Sequence, residues 1–188
     1  MGYEVRQPSV AQDFLQDSLM MFRMYKNMAE KAIEQLPNPD KDLFFRPDKE
    51  SNSIAIIMKH MAGNMRSRWQ DFLSSDGEKP NRQRYTEFEL EPTEDRAAIM
   101  RLWAEGWATM FAALEPLRAD DMSRTVLIRH QPHTVVQAIN RQLTHYAYHI
   151  GQIVFLSKHI AQDNFQSLTV PRGKSEEVNA KMAEKWKK

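Results

Sequence analysis

Six histidines are the residues of this sequence best suited to holding a metal or moving a proton: His60, His130, His133, His145, His149 and His159. Cysteine is absent, which removes disulfides, iron–sulfur clusters, thiolate zinc sites and a cysteine nucleophile. His145 and His149 are four apart, so on a helix their rings share one face, a turn apart. Six histidines placed at random would give about 0.2 such pairs, so spacing alone is a weak signal. Position is a stronger one. The inward stripe of that segment reads Val135, Ala138, Gln142, His145, His149, Ile153 and Leu156, with two imidazoles where apolar residues belong. Burying them unpartnered would cost on the order of 1–3 kcal/mol each. A hydrogen-bonded polar network or a metal ion would satisfy them. His60 favours the metal, because it lies in the register Ile57, His60, Asn64, Arg68 of a second segment. One ligand from one helix and an i, i+4 pair from another is a common way to build a site between helices. Three imidazoles suit zinc, nickel, copper or iron, and three protein ligands leave positions open, as in catalytic sites. The residues between the pair are Tyr146, Ala147 and Tyr148, so the zincin His-Glu-x-x-His motif and its glutamate base are missing. No catalytic residue is assigned from sequence.

Around this triad, Asn64 and Arg68 follow His60 on the same face and are candidates for binding a substrate carboxylate or a thiol cofactor, Arg through its planar fork. A solvated salt bridge is the alternative for Arg68. Gln152 is a candidate to orient a ligand ring or to make an ordinary hydrogen bond between helices. Gly63 and Gly151 interrupt helical segments at about 1 kcal/mol each relative to Ala, which suggests close helix approach or ligand access. His130 and His133 flank Pro132 and read as surface residues or a helix entry and not as ligands. His159 suits the negative end of a helix dipole. Arg172 and Lys174 could close over an anion, although a solvated tail is the simpler reading.

The elements that must position these groups are helices. Six glycines in 188 residues and no long alternating pattern argue against extended sheet. Apolar periodicity predicts a helix from about Ser9 to Leu36, capped by Ser9 with Gln12 and stopped by Pro37 and Pro39. A second is predicted from Asn52 or Ser53 to about Leu73. Asp76-Gly77 marks a turn, and residues 77–92 form a long polar connection. A third helix follows Pro92 with Thr93 as N-cap and ends at Pro116. Residues 123–129 suit a short extended piece. The last long helix runs from about Thr134 to Ala161, with Thr134 and Gln137 as a capping box, and Ser175 could cap a short helix in the tail. Four long amphipathic helices predict an all-α four-helix bundle with a long connection between helices 2 and 3 and a short C-terminal extension. One domain over residues 1–188 is expected, with its core at about 9–161 and the extension at 162–188. Trp103 and Trp107 are assigned to the core or to a dimer face.

Composition narrows the function classes. Hydrophobic residues are 41% and charged residues 27%, with a formal net charge of +1. That is ordinary globular composition, with no field for nucleic acid or an acidic membrane. The tail from Pro171 carries six positive and three negative side chains, too few for a nucleic-acid site. No apolar run is long enough to span a bilayer. The N-terminus lacks a signal-peptide form, and Arg6 stands where a myristoylation signal needs Ser or Thr. A cytoplasmic setting is expected. Gly173-Lys174-Ser175 is not a P-loop, because Leu168 stands where the first glycine is needed. Neither a dinucleotide fingerprint nor a serine-hydrolase elbow is present.

Ser53-Ile54-Ala55 leading to His60, and the run His145-Tyr146-Ala147-Tyr148-His149-Ile150-Gly151-Gln152, resemble the DinB superfamily of damage-inducible four-helix bundles. The stretch Gly63 to Trp69, the turn Asp76 to Pro80 and the run Pro171 to Ser175 resemble one uncharacterised subgroup of it. The likeness covers about residues 10–175. It implies a metal triad of His60, His145 and His149 holding nickel or zinc, and a homodimer. Some members are S-transferases or isomerases that use a low-molecular-weight thiol such as bacillithiol or mycothiol. The expected function is therefore a small-thiol-dependent S-transferase acting on a small molecule. A hydrolase using metal-bound water is one alternative, and a non-catalytic stress-related metal-binding bundle is another.

Overall fold

A computed structural model describes residues 9–186. The N-terminal segment with Arg6, and Lys187 and Lys188, lie outside the described residues. The chain is mostly helical, with one two-stranded sheet. The helices are α1 (Val10–Ile33), α2 (Pro39–Asp42), α3 (Ile54–Trp69), α4 (Arg96–Leu114), α5 (Val135–Ala161) and α6 (Ser175–Lys185). Strands β1 (Thr125–Ile128) and β2 (Gln131–Thr134) form an antiparallel hairpin. No helix among the described residues is long and apolar enough to cross a membrane.

The helix starts follow capping chemistry. Ser9, Ser53 and Thr134 each accept a backbone N–H three residues on, at 3.4, 3.2 and 3.1 Å. Gln137 returns a bond to the Thr134 N–H at 2.8 Å, completing the capping box. At α4 the cap is Asp95, which accepts the Ala98 N–H at 2.8 Å, not the expected Thr93. A carboxylate there also meets the positive end of the helix dipole. Helix α1 ends at Ile33, before the expected Leu36, and α3 ends at Trp69, before the expected Leu73. Pro39 does not only stop a helix: it begins α2, where its missing N–H costs nothing. Ser175 is the first residue of α6, and Lys174 is the flanking residue.

Helix α3 packs mainly on α4, α1 mainly on α5, and α3 meets α5 across the site. Gly106 lets the first pair close: a Cβ there would lie 2.9 Å from Ala62 Cα. The core centres on Phe22, Met58, Trp69, Trp103, Trp107 and Tyr146. Trp103 and Trp107 are therefore core residues, and Trp103 Nε1 donates to Glu30 Oε1 at 3.1 Å. The stripe predicted for the last helix is buried from Val135 to Leu156 except at His145, which is half-buried. The connection of residues 77–92 is long, as expected, but it is structured. It carries a single 3-10 turn, Arg84–Phe88, which packs against α3.

Candidate metal centre

The α3 and α5 faces bring His60, His145 and His149 together, with one ring nitrogen from each within 4.8 Å of the others. His145 Nε2 lies 3.1 Å from His149 Nε2. Two nitrogens bound to one ion at about 2.0–2.1 Å stand roughly 3.0–3.4 Å apart, so this spacing suits a shared ion. Burial, and then the neighbouring His149, lower the His145 pKa to about 3. Burial likewise lowers His149 to about 4, although the bond to Gln152 acts in the other direction. Both rings are neutral at pH 7, as metal ligands must be. Together with His60 they form a group of three imidazoles that could hold a divalent transition ion.

Two of the rings are oriented through their second nitrogens. His149 donates from Nδ1 to Gln152 Oε1 at 2.8 Å, and Gln152 donates to the Tyr148 hydroxyl at 3.1 Å. His60 donates from Nδ1 to Glu87 Oε2 at 2.9 Å. These bonds select the tautomers that leave Nε2 of each ring as the free donor atom. Glu87 is held in turn by Arg82, whose Nε reaches Oε1 at 2.7 Å and whose Nη2 reaches Oε2 at 2.9 Å. All three side chains of this chain of contacts are at least nine-tenths buried. Burial alone would raise the Glu87 carboxyl, but the bonds from His60 and Arg82 hold it below its ordinary value. Phe88, from the same 3-10 turn, stacks on the His60 ring at 4.7 Å.

Sequence reasoning missed Glu87, Arg82 and Phe88, which sit in what reads as a polar connection. Gly63 is the signal that points to them. A Cβ at Gly63 would lie 2.5 Å from Glu87 Oε1 and 2.8 Å from its Cδ, so the glycine inside α3 makes room for this carboxylate. Gly151 is different: it is exposed and a Cβ there would meet nothing, so close helix approach does not explain it.

Asn64 and Arg68 are buried and line a cavity beside His60 and His145. Asn64 Oδ1 accepts the Tyr146 hydroxyl at 3.2 Å, and that hydroxyl accepts Trp69 Nε1 at 3.0 Å. Arg68 reaches Glu78 at 3.6 Å. His130 and His159 are exposed and His133 is half-exposed. His130 sits in the hairpin turn, and His133 lies on β2 with its Nδ1 donating to the Gln131 carbonyl. Arg172 and Lys174 are exposed, and Lys174 pairs with Glu177 at 3.3 Å.

No curated protein matches the chain. The family described as "Protein of unknown function (DUF1572)", which falls within the DinB-like superfamily, matches residues 9–174. That span holds all three histidines, their orienting partners Gln152, Glu87 and Arg82, and every helix that places them, and the chain belongs to this family.

Proposed function

We propose that this chain is a metal-dependent S-transferase, built on a four-helix bundle, that joins a low-molecular-weight thiol to a small electrophile. The observation that carries the reading is the convergence of three imidazoles, with the one carboxylate that touches them among the described residues, Glu87, already committed. A divalent ion in this group, nickel or zinc by the superfamily resemblance, would supply positive charge that favours the thiolate form of the co-substrate. The chain's own residues do the rest. Glu87 and Gln152 hold His60 and His149 with Nε2 free, Phe88 shields one face of His60, and Asn64 and Arg68 line the cavity that receives the substrate.

A hydrolase fits less well. It needs a base to take a proton from water, and both Glu87 oxygens are occupied by Arg82 and His60. A thiol brings its own nucleophile and has the lower pKa. A cytoplasmic setting, where small thiols stay reduced, and a homodimer belong to the same proposal. The test is turnover of a model electrophile by zinc- or nickel-loaded protein with and without added thiol. Thiol-dependent, saturable turnover that His60→Ala abolishes is expected. Turnover that proceeds equally without thiol would favour the hydrolase, and none under either condition would leave a non-catalytic metal-binding bundle.

A further inference from the structure

A cavity of about 340 Å3 lies between α3, the 79–88 connection, the hairpin turn and α5. His60 and His145 form part of its wall, so it opens onto the candidate centre. The rest of the wall is unusually basic. Arg68, Arg82, Arg84, Arg129 and Arg141 all line it, and arginine stays protonated at any working pH.

These charges are not balanced locally. Glu78 Oε2 serves three of the five, at 3.6 Å from Arg68, 3.4 Å from Arg82 and 3.3 Å from Arg129. Glu87 serves Arg82 alone among them. Among the described residues, neither Arg84 nor Arg141 has an ion-pair partner. Five guanidinium groups therefore share two ion-paired carboxylates, and even with Asp76 at the hairpin turn counted positive charge is in excess around one small cavity.

Two further observations show that the arrangement is built. Arg68 is 5% exposed, and its Nε and Nη1 have no hydrogen-bond partner among the described residues. Unpaired guanidinium donors in a protein interior are unfavourable unless something accepts from them. Gly77 makes room for this side chain, since a Cβ there would lie 2.9 Å from Arg68 Nη1. The hairpin turn adds the second observation. Arg129 and His130 adopt φ of 53° and 64°, a left-handed pair that side chains other than glycine disfavour. The Asp76 carboxylate holds that turn by accepting both backbone N–H groups, at 2.8 and 2.7 Å. A disfavoured backbone is thus retained where it carries Arg129 to the cavity wall.

We propose that this cavity binds the anionic part of the substrate, a carboxylate or phosphate group on a small molecule, and so presents the adjoining atoms to His60 and His145. Planar guanidinium forks match such oxyanions in bidentate fashion. The direction of the substrate rests on the metal-centre reading above, but the binding of the anion does not.

The experiment is calorimetric titration of inorganic phosphate and, separately, succinate into metal-free protein at low ionic strength. Saturable binding of at least one, with a Kd of about 1 mM or tighter, is expected. Phosphate alone binding would assign a phosphate-bearing ligand, and succinate alone a carboxylate. Arg84→Gln and Arg141→Gln change exposed positions and preserve the fold; each is expected to weaken binding about tenfold. The exposed Arg101→Gln, outside the cavity, leaves it unchanged. His149→Ala removes a candidate ligand that does not line the cavity, so it retains anion binding while losing metal. Retained anion binding in a protein that takes up no metal would sustain this inference and defeat the metal-centre reading. Binding of neither anion, equal weakening by Arg101→Gln, or binding only after metal loading would overturn it.

Discussion

The two walls of the candidate centre are built by different physics. On the α3 side, His60 is fixed through charge: Glu87 accepts from its Nδ1, Arg82 grips both Glu87 oxygens, and all three side chains are at least nine-tenths buried. On the α5 side, His149 is fixed through a neutral amide, Gln152, which bonds onward to the exposed Tyr148. His145 has no such partner beyond His149 itself among the described residues. Charge-assisted bonds in a dry interior are roughly twice as strong as neutral ones, and a buried charge left alone is costly. The α3 wall should therefore be rigid and sensitive to substitution. The α5 wall should be adjustable and tolerant everywhere except at the rings themselves.

The harshest way to break this contrast is to remove a ring from either wall. His60→Ala and His145→Ala should each abolish stoichiometric uptake of zinc or nickel, read by elemental analysis of tag-free protein. A smaller, asymmetric effect is expected behind the rings. Glu87→Gln leaves buried Arg82 with only Glu78, which two other arginines share, as its charge partner, so metal affinity should fall about 10–100-fold and stability by up to about 3 kcal/mol, measured by competition with a chelator and by denaturant unfolding. Gly63→Ala leaves every donor in place but pushes on the Glu87 carboxylate; a loss of about tenfold in metal affinity is expected, at the lower end for an orienting contact. Gln152→Ala should cost less than Glu87→Gln in affinity and, on a wet surface, almost nothing in stability. If the Gln152 change proved the more damaging, the ranking of the two walls would be reversed.

The gentlest test is pH. His145 and His149 are held well below their ordinary pKa by burial, so the unfolded chain binds protons that the folded chain refuses. Stability then rises with pH. For the metal-free protein, the melting temperature should be level above about pH 7 and decline as pH falls through the ordinary histidine range toward the folded values of about 4 and 3. In a His145→Ala/His149→Ala double variant that decline should be shallower.

The same two walls differ in how far they can be read without coordinates. The α5 wall is legible because a helix imposes a period. Thr134 caps it, the apolar stripe runs down one face, and His145 and His149 interrupt that stripe where partners are required. His60 is legible for the same reason, through its register with Ile57 and Asn64. Glu87 is not, because residues 77–92 have no period, and Glu78, Glu87, Glu89 and Glu91 all lie among them. Only a tertiary contact singles out Glu87, and its one trace in the sequence is a glycine placed inside α3 at a cost. The basic cavity is harder still. Its arginines come from two helices, a connection and a hairpin turn, and no local pattern joins them. The β1–β2 hairpin was legible only as a short extended piece, since Arg129 and His130 lack the glycine or asparagine that usually marks such a turn.

The central claim is that His60, His145 and His149 share one ion. X-ray absorption spectroscopy of tag-free protein loaded with one equivalent of zinc or nickel tests it most directly. Three imidazole nitrogens at about 2.0–2.1 Å in the first coordination shell are predicted; a shell of oxygen ligands, or one with fewer than three imidazoles, would contradict it.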